Sequence, residues 1–88
     1  MAAAGMNPEE MERVAHELAR IADEIERSVA HVGARVTSAP WEGSDARRFK
    51  DQWWPEHRGN VVEVARGIRA LAAAAMREAS HQRSVSGW

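Results

Sequence analysis

The sequence lacks cysteine and tyrosine entirely, and phenylalanine occurs once among its 88 residues. Without cysteine, the chain can form neither a disulfide nor a thiolate metal site. No apolar run reaches the about 20 residues that a membrane-spanning helix needs, so we predict no membrane span. The chain begins with neither a basic segment nor a long apolar core, so we expect no general secretory signal peptide.

The sequence also has no excess of charge of one sign. It carries 12 basic and 13 acidic residues, for a net charge of −1, which gives no overall basic signal for nucleic acid. The basic cluster Arg47, Arg48 and Lys50 interleaves with Asp45 and Asp51, as is typical of a solvated helix face. Residues 1–40 carry a net charge of −3 and residues 41–88 a net charge of +2, so antiparallel neighbours formed from the two halves would attract weakly.

The first half of the chain has the pattern of one long amphipathic helix. Asn7 and Pro8 form a typical helix start, with a capping side chain followed by proline at the first helical position. The apolar residues then recur at steps of three and four, which predicts a helix over residues 8–37, about 45 Å long. They are Met11, Val14, Leu18, Ile21, Ile25, Val29, Val32 and Val36. A coiled-coil homodimer of this helix alone is an alternative to a hairpin.

A bend is predicted over residues 38–44, and a second helix over residues 45–82. Pro40 disfavours helix at the residue before it, and Gly43 permits backbone angles that other residues avoid. Pro55 and Gly59 predict a kink over residues 55–60, with a two-piece second helix as the alternative. The two apolar patterns together predict one helical-hairpin domain over residues 1–88. We expect the second helix to contribute Val61, Val64, Ile68, Leu71 and Ala75 to a hairpin and dimer interface with the first set.

Aromatic residues are few, and most lie near the predicted bend. Three of the four tryptophans and the single phenylalanine fall within residues 41–54. We expect Trp41 to pack near Phe49, and the helical spacing predicts that Trp53 faces inward. Trp54 would point about 100° away from Trp53, so it is either a partner contact or a ring that covers its own hairpin.

No set of residues in the sequence predicts catalysis or metal binding. No two of the four histidines, His16, His31, His57 and His81, are three or four residues apart, as a metal site on a helix requires. Neither a nucleophile elbow, a catalytic pair of carboxylates nor a phosphate-binding loop is present. We therefore predict no enzyme activity, no metal and no cofactor.

The centre of the chain resembles the WXG-motif family of small helical-hairpin proteins, the early-secretory-antigen-like substrates of type VII (ESX) secretion. The resemblance is carried by Trp41-x-Gly43 in the bend, a small residue at Ala46, Phe49 six residues after Gly43, and Trp53 four residues further on. Chain length, hairpin organisation and the arginine- and alanine-rich composition are similar to those of actinobacterial members. Trp41 and Gly43 would be the motif pair.

The resemblance implies an all-α fold in which two antiparallel hairpins form a four-helix bundle. The partner would be a second copy or a paralogous WXG-type protein, with a type VII secretion ATPase as a further partner. It also implies secretion, or display at the cell surface, without a cleaved signal peptide. Many exported pairs carry a C-terminal Tyr-x-x-x-Asp/Glu signal, but this chain has no tyrosine and no acid after Glu78. Either a partner supplies that signal, or the chain is an intracellular or structural dimerisation adaptor.

Overall fold

The computed structural model of the protein describes residues 7–86. Within that range the chain is helical apart from the residue before the first helix and the bend, and it contains no strand. Two long helices pack against each other, which confirms the prediction of an all-α hairpin-like fold. The tail expected at residues 1–5 lies outside the described part. A frayed tail was also expected over residues 84–88, but residues 84–86 are helical, and residues 87–88 lie outside the described part.

Helix α1 spans Pro8–Ser38, from the predicted start to one residue beyond the predicted end. The Asn7 Oδ1 accepts a hydrogen bond from the Glu10 amide at 2.9 Å, which satisfies one of the free amides of the first turn. At the other end, Ala39 has extended backbone angles, φ −71° and ψ 145°, because Pro40 excludes the helical conformation there.

Three contiguous helical segments follow the bend. Helix α2 spans Ser44–Arg48, a π-helical turn spans Phe49–Trp53, and helix α3 spans Trp54–Ser86. The prediction placed the irregularity at residues 55–60, whereas the chain is α-helical there and irregular one turn earlier. Pro55 is the second residue of α3, and it has no backbone amide to donate to a carbonyl of the preceding turn. The wider π turn lies at that preceding turn.

Helices α1 and α3 approach each other along a line of small side chains. The buried residues are Ala15, Ala22, Val36, Ala65, Ala72 and Ala79. Alanines therefore recur every seven residues on both helices, at 15 and 22 on α1 and at 65, 72 and 79 on α3. Side chains this small allow two helix backbones to approach closely in near-antiparallel packing.

The larger apolar residues predicted for the interface differ in how far their side chains are buried. Only Val36 is buried. Half-buried are Met11, Leu18, Ile21, Ile25, Val29, Ile68 and Ala75, and exposed are Val14, Val32, Val61, Val64 and Leu71. Apart from Val36, these side chains are more exposed than the alanines and flank the alanine contact.

The hairpin is a rod measuring 67 × 17 × 16 Å. Its radius of gyration is 19.6 Å, against about 12 Å for a compact domain of this length. Every part of the chain therefore lies close to the surface, and among residues 7–86 no large side chain is fully buried.

Ion pairs between the helices cover one side of the α1–α3 interface, which we call the paired side. Arg69 of α3 donates to Asp23 at 2.5 Å and also to Glu26, both on α1. Nearer the open end of the hairpin, Arg83 pairs with Glu12 at 2.8 Å. These contacts join the acidic first half to the basic second half, and they orient the helices more than they stabilise them, because the side chains are part-exposed.

Acid is expected to weaken the contact around Arg69. Hydrogen bonds from Arg69 hold the pKa of Asp23 and that of Glu26 below their ordinary values. A carboxylate whose pKa is lower in the folded state stabilises that state above its ordinary pKa, and the stabilisation is lost as pH falls through the lowered value. An Arg69→Met variant should therefore melt below the parent at neutral pH, and the difference should disappear once the pH has fallen below the lowered pKa values of the two carboxyl groups.

The matched control is Arg77→Met, which removes an exposed arginine from the same helix. Thermal melts followed by circular dichroism over this pH range would measure both differences. A difference between Arg69→Met and the parent that did not change with pH would contradict the ion-pair origin of the effect.

Candidate functional site

The Trp41 side chain caps the C-terminal end of α1. Its indole Nε1 donates a hydrogen bond to the Val36 carbonyl oxygen at 2.5 Å. Val36 O is one of the last carbonyls of the helix, which have no amide partner within the helix itself. The half-buried indole thus fixes the direction in which the chain leaves α1.

Gly43 adopts backbone angles at the bend that a residue with a side chain would avoid. Its backbone angles are φ 89° and ψ 159°, a combination adopted almost only by glycine. The Gly43 carbonyl then accepts from the Arg47 amide at 3.1 Å and so begins α2. A Cβ built at Gly43 meets no atom within 4 Å, so the requirement for glycine comes from the backbone angles and not from crowding.

Four aromatic rings stack in series at the bend. The Trp41 and Phe49 ring centroids are 5.3 Å apart, those of Phe49 and Trp53 are 4.9 Å apart, and those of Trp53 and His57 are 3.9 Å apart. The π turn carries the two central rings. This places Phe49 and Trp53 in the bend packing for which they were predicted, but Trp53 is 47% exposed and does not face inward.

Trp54 packs on its own hairpin at the position where α1 carries a glycine. A Cβ built at Gly33 would lie 3.7 Å from the Trp54 ring, in ordinary van der Waals contact. The half-buried Trp54 ring therefore covers the α1 backbone close to the bend. The same ring also lines a surface groove. Trp54 thus covers its own hairpin, and its contact with a partner stays a prediction.

The groove is an apolar depression of about 410 Å³ between α1 and α3. Its floor and walls are formed by Ile21, Ile25, Val29, Val32, Trp54 and Val61, with Glu24, Ser28 and Arg58 completing the lining. We call this side of the interface the open side. Helical spacing places Val14 with Ile21 on α1, and Val64 and Leu71 beside Val61 on α3, so exposed apolar residues extend the groove along the rod.

No family model, curated protein or solved structure matches this chain. The geometry of the described residues is therefore the basis for assigning a role. Among residues 7–86, no three His, Asp or Glu side chains are grouped so that they could share a metal ion. No helix in the same range is long and apolar enough to cross a bilayer.

The alanine contact was largely missed at the sequence level. The helical periodicity of the large apolar residues predicted the interface, but most of these residues lie on its flanks. The missed residues were Ala15, Ala22 and Ala65. The sequence did carry a signal for this contact. Alanines recur at seven-residue intervals on both helices, a spacing that places small side chains along one side of each helix and permits close packing.

Replacing Gly43 should destabilise the fold although the site is sterically open. We expect Gly43→Ala to lower the free energy of unfolding by about 1–3 kcal/mol, the usual cost of these backbone angles for a residue with a side chain. The matched control is Gly67→Ala in α3, where a Cβ also meets no atom within 4 Å. That control should raise the free energy of unfolding by about 0.5–1 kcal/mol. Urea denaturation would measure both, and equal effects would contradict the assigned role of the turn.

Replacing Trp41 should destabilise the bend end of the rod. Truncation of a buried tryptophan costs about 3–5 kcal/mol, and because Trp41 is only half-buried we expect about 2 kcal/mol for Trp41→Ala. The control is Glu42→Ala at the exposed neighbouring residue, which should leave the free energy of unfolding nearly unchanged. A Trp41→Ala variant as stable as the parent in urea would refute the packed bend.

Proposed function

We propose that this chain is a non-enzymatic helical binding protein of type VII (ESX) secretion. In this proposal it is exported as a substrate or as a co-secreted partner, and it acts as a homodimer or as a heterodimer with a paralogous WXG-type protein. It resides in the cytoplasm before export and then at the cell surface or outside the cell. A secretion ATPase that recognises the folded hairpin is its proposed partner in the cell.

The observation that carries this proposal is the physical role of the motif pair in the bend. Trp41 supplies an indole donor to the end of α1, and Gly43 supplies backbone angles that suit glycine. Phe49 and Trp53 then continue the stack of rings. Four of the five residues on which the resemblance rests thus have a structural reason to be at their positions, which a chance occurrence of W-x-G would not require.

The open side supports the binding component of the proposal. A hairpin with one apolar side along its length can bury that side against a second hairpin, and the product is a four-helix bundle. The described residues offer no grouped metal ligands, and the groove is walled mainly by aliphatic side chains. Such a surface suits protein–protein contact better than chemical catalysis.

An intracellular dimerisation adaptor with the same fold is the second candidate. It is favoured by the apolar groove between the helices, which suits association and does not require export. The two candidates share the hairpin and the open side. They differ in whether the chain leaves the cell.

Export is tested by expressing the tagged full chain in an actinobacterial host whose type VII machinery is active, and in the same host without the secretion ATPase. Under the first candidate, the chain should accumulate in the culture filtrate or on the cell surface only when the ATPase is present. A cytosolic enzyme measured in the same fractions controls for lysis. Retention of the chain in the cytosol, while an established substrate of that machinery is exported, would favour the adaptor.

A further inference from the structure

The apolar groove between α1 and α3 carries one charge that no other side chain neutralises. Two ionisable side chains line the groove, Glu24 and Arg58. Glu24 pairs with Arg20 of its own helix at 2.9 Å. Arg58 forms no ion pair among residues 7–86. The groove therefore presents an uncompensated cation to a molecule that enters it.

The sequence around Arg58 explains why its own helix supplies no acidic partner. Side chains three and four positions apart are neighbours on a helix. For Arg58 these neighbours are uncharged: Trp54, Pro55, Val61 and Val62. Because α1 supplies no carboxylate to Arg58 either, an anion that pairs with it has to come from outside the hairpin.

Arg58 lies at one end of an elongated apolar surface. The lining residues from α3 are Trp54, Arg58 and Val61, all near the start of that helix and so at the bend end of the groove. The rest of the lining comes from α1, from Ile21 to Val32, a stretch about 16 Å long at 1.5 Å per residue. The groove thus combines a cationic end with an aliphatic floor.

The size of the groove suits a single aliphatic chain. Its volume of about 410 Å³ falls within the about 300–1,000 Å³ of small-molecule sites. An extended chain of about 12 carbons spans about 14 Å, at about 1.3 Å for each carbon–carbon bond along its axis. A chain of this length would cover the α1 floor and place its head group beside Arg58.

The charges of the groove determine which head group fits and which way it points. A guanidinium offers paired donors to the two oxygens of a carboxylate. Glu24 is on the part of α1 nearer Ile21, so its carboxylate disfavours an anionic head group at that end. A chain with a carboxylate at one end therefore fits in one orientation only.

We propose that the groove binds the monomeric anion of a long-chain carboxylic acid of about 12 carbons. The carboxylate pairs with Arg58, the Trp54 ring covers the adjoining methylenes, and the chain runs along α1 towards Ile21. This ligand site goes beyond the proposed function and does not depend on export.

The first test is isothermal titration calorimetry of the purified full chain with laurate, held below the concentration at which it forms micelles. We expect one laurate per chain, with a dissociation constant of about 10–300 µM. Decanoate and octanoate should bind progressively more weakly, by about fourfold for every two methylenes removed, because a groove covers only about half of the chain. No measurable binding of laurate up to about 1 mM would overturn the proposal.

The head group is tested with ligands that share the 12-carbon chain. Dodecanol lacks the charge, and dodecyltrimethylammonium reverses it. Both should bind at least about fivefold more weakly than laurate, since the pairing with Arg58 is part-exposed and worth a modest factor. Equal binding of all three would show that Arg58 does not select the ligand, and the proposal would be wrong.

The same contact is tested from the side of the protein. Arg58→Gln keeps most of the side chain and removes the charge, so laurate should bind about fivefold more weakly. The matched control is Arg77→Gln, at an exposed arginine of α3 that does not line the groove, and it should bind laurate as the parent does. Equal effects of the two substitutions would contradict a specific site.

The groove itself is tested with Val61→Asp. Val61 lines the groove and is 41% exposed, and a carboxylate there lies one turn from Arg58, where it would pair with the guanidinium and repel laurate. Binding should weaken at least about tenfold. The control is Val85→Asp, at a valine of α3 that is 56% exposed and lies about 36 Å further along the helix.

The Val85→Asp control should bind laurate as the parent does, and equal weakening by both variants would contradict the location of the site. Circular dichroism reports whether each variant has kept its helices. If Val61→Asp has lost them, Arg58→Gln and the series of head groups decide the question.

A further arm distinguishes the free acid from a lipid surface. The full chain is sedimented with vesicles of phosphatidylcholine and phosphatidylglycerol. It should remain in the supernatant at lipid concentrations that match the laurate titration. Binding to the vesicles without binding of monomeric laurate would overturn the proposal and assign the apolar surface to membrane contact.

These outcomes are separable from the fate of the proposed function. A second hairpin on the open side would cover the same groove, so laurate and such a partner would compete. A chain that binds laurate at Arg58 but is not exported supports this inference while contradicting the secretion role. A chain that is exported but binds no laurate contradicts this inference and leaves the secretion role in place.

Discussion

The close contact of α1 and α3 along their alanines determines most of the architecture. Ala22, Ala65 and Ala79 have no exposed surface, and side chains of this size let the helix backbones approach each other closely. Most branched residues next to this line extend from its flanks, and Val36 alone among the predicted branched residues is buried. The exposed apolar side of the rod is thus a direct consequence of the small residues at its centre.

The bend determines which residues of the two helices lie opposite each other. The Trp41 bond to Val36 O ends α1 at a defined point, and the Gly43 angles turn the chain into α2. The stack through Phe49 then passes to Trp53 in the π turn, so the second arm begins in a fixed rotational position. With that rotation, Arg69 reaches Asp23 and Glu26 far along the rod, and the alanine lines face each other.

The sequence predicted the helices, the bend and the packing of Trp41 near Phe49, because each depends on local chemistry. Capping by Asn7, the effect of Pro40 on Ala39 and the tolerance of glycine for unusual angles act within a few residues. The π turn was not predicted, since Pro55 indicates a disturbed helix but not that the disturbance is a π turn one turn before the proline. The sequence also did not predict that alanines would be buried while most branched residues stayed exposed. Apolar periodicity indicates which face of a helix packs, but not how close the neighbouring helix lies.

A hairpin held by alanines gains little from its own interface. Apolar burial contributes about 25 cal/mol for each Å² removed from water, and five of the six buried residues are alanines, which have little side-chain area to bury. The larger gain is available only when Leu71, Val64 and their neighbours on the open side are covered. Because a partner that binds only the folded hairpin stabilises it by mass action, folding and association of this chain are expected to be coupled. The alanine contact, which leaves the monomer weakly packed, is therefore also the feature that makes the open side available to a partner.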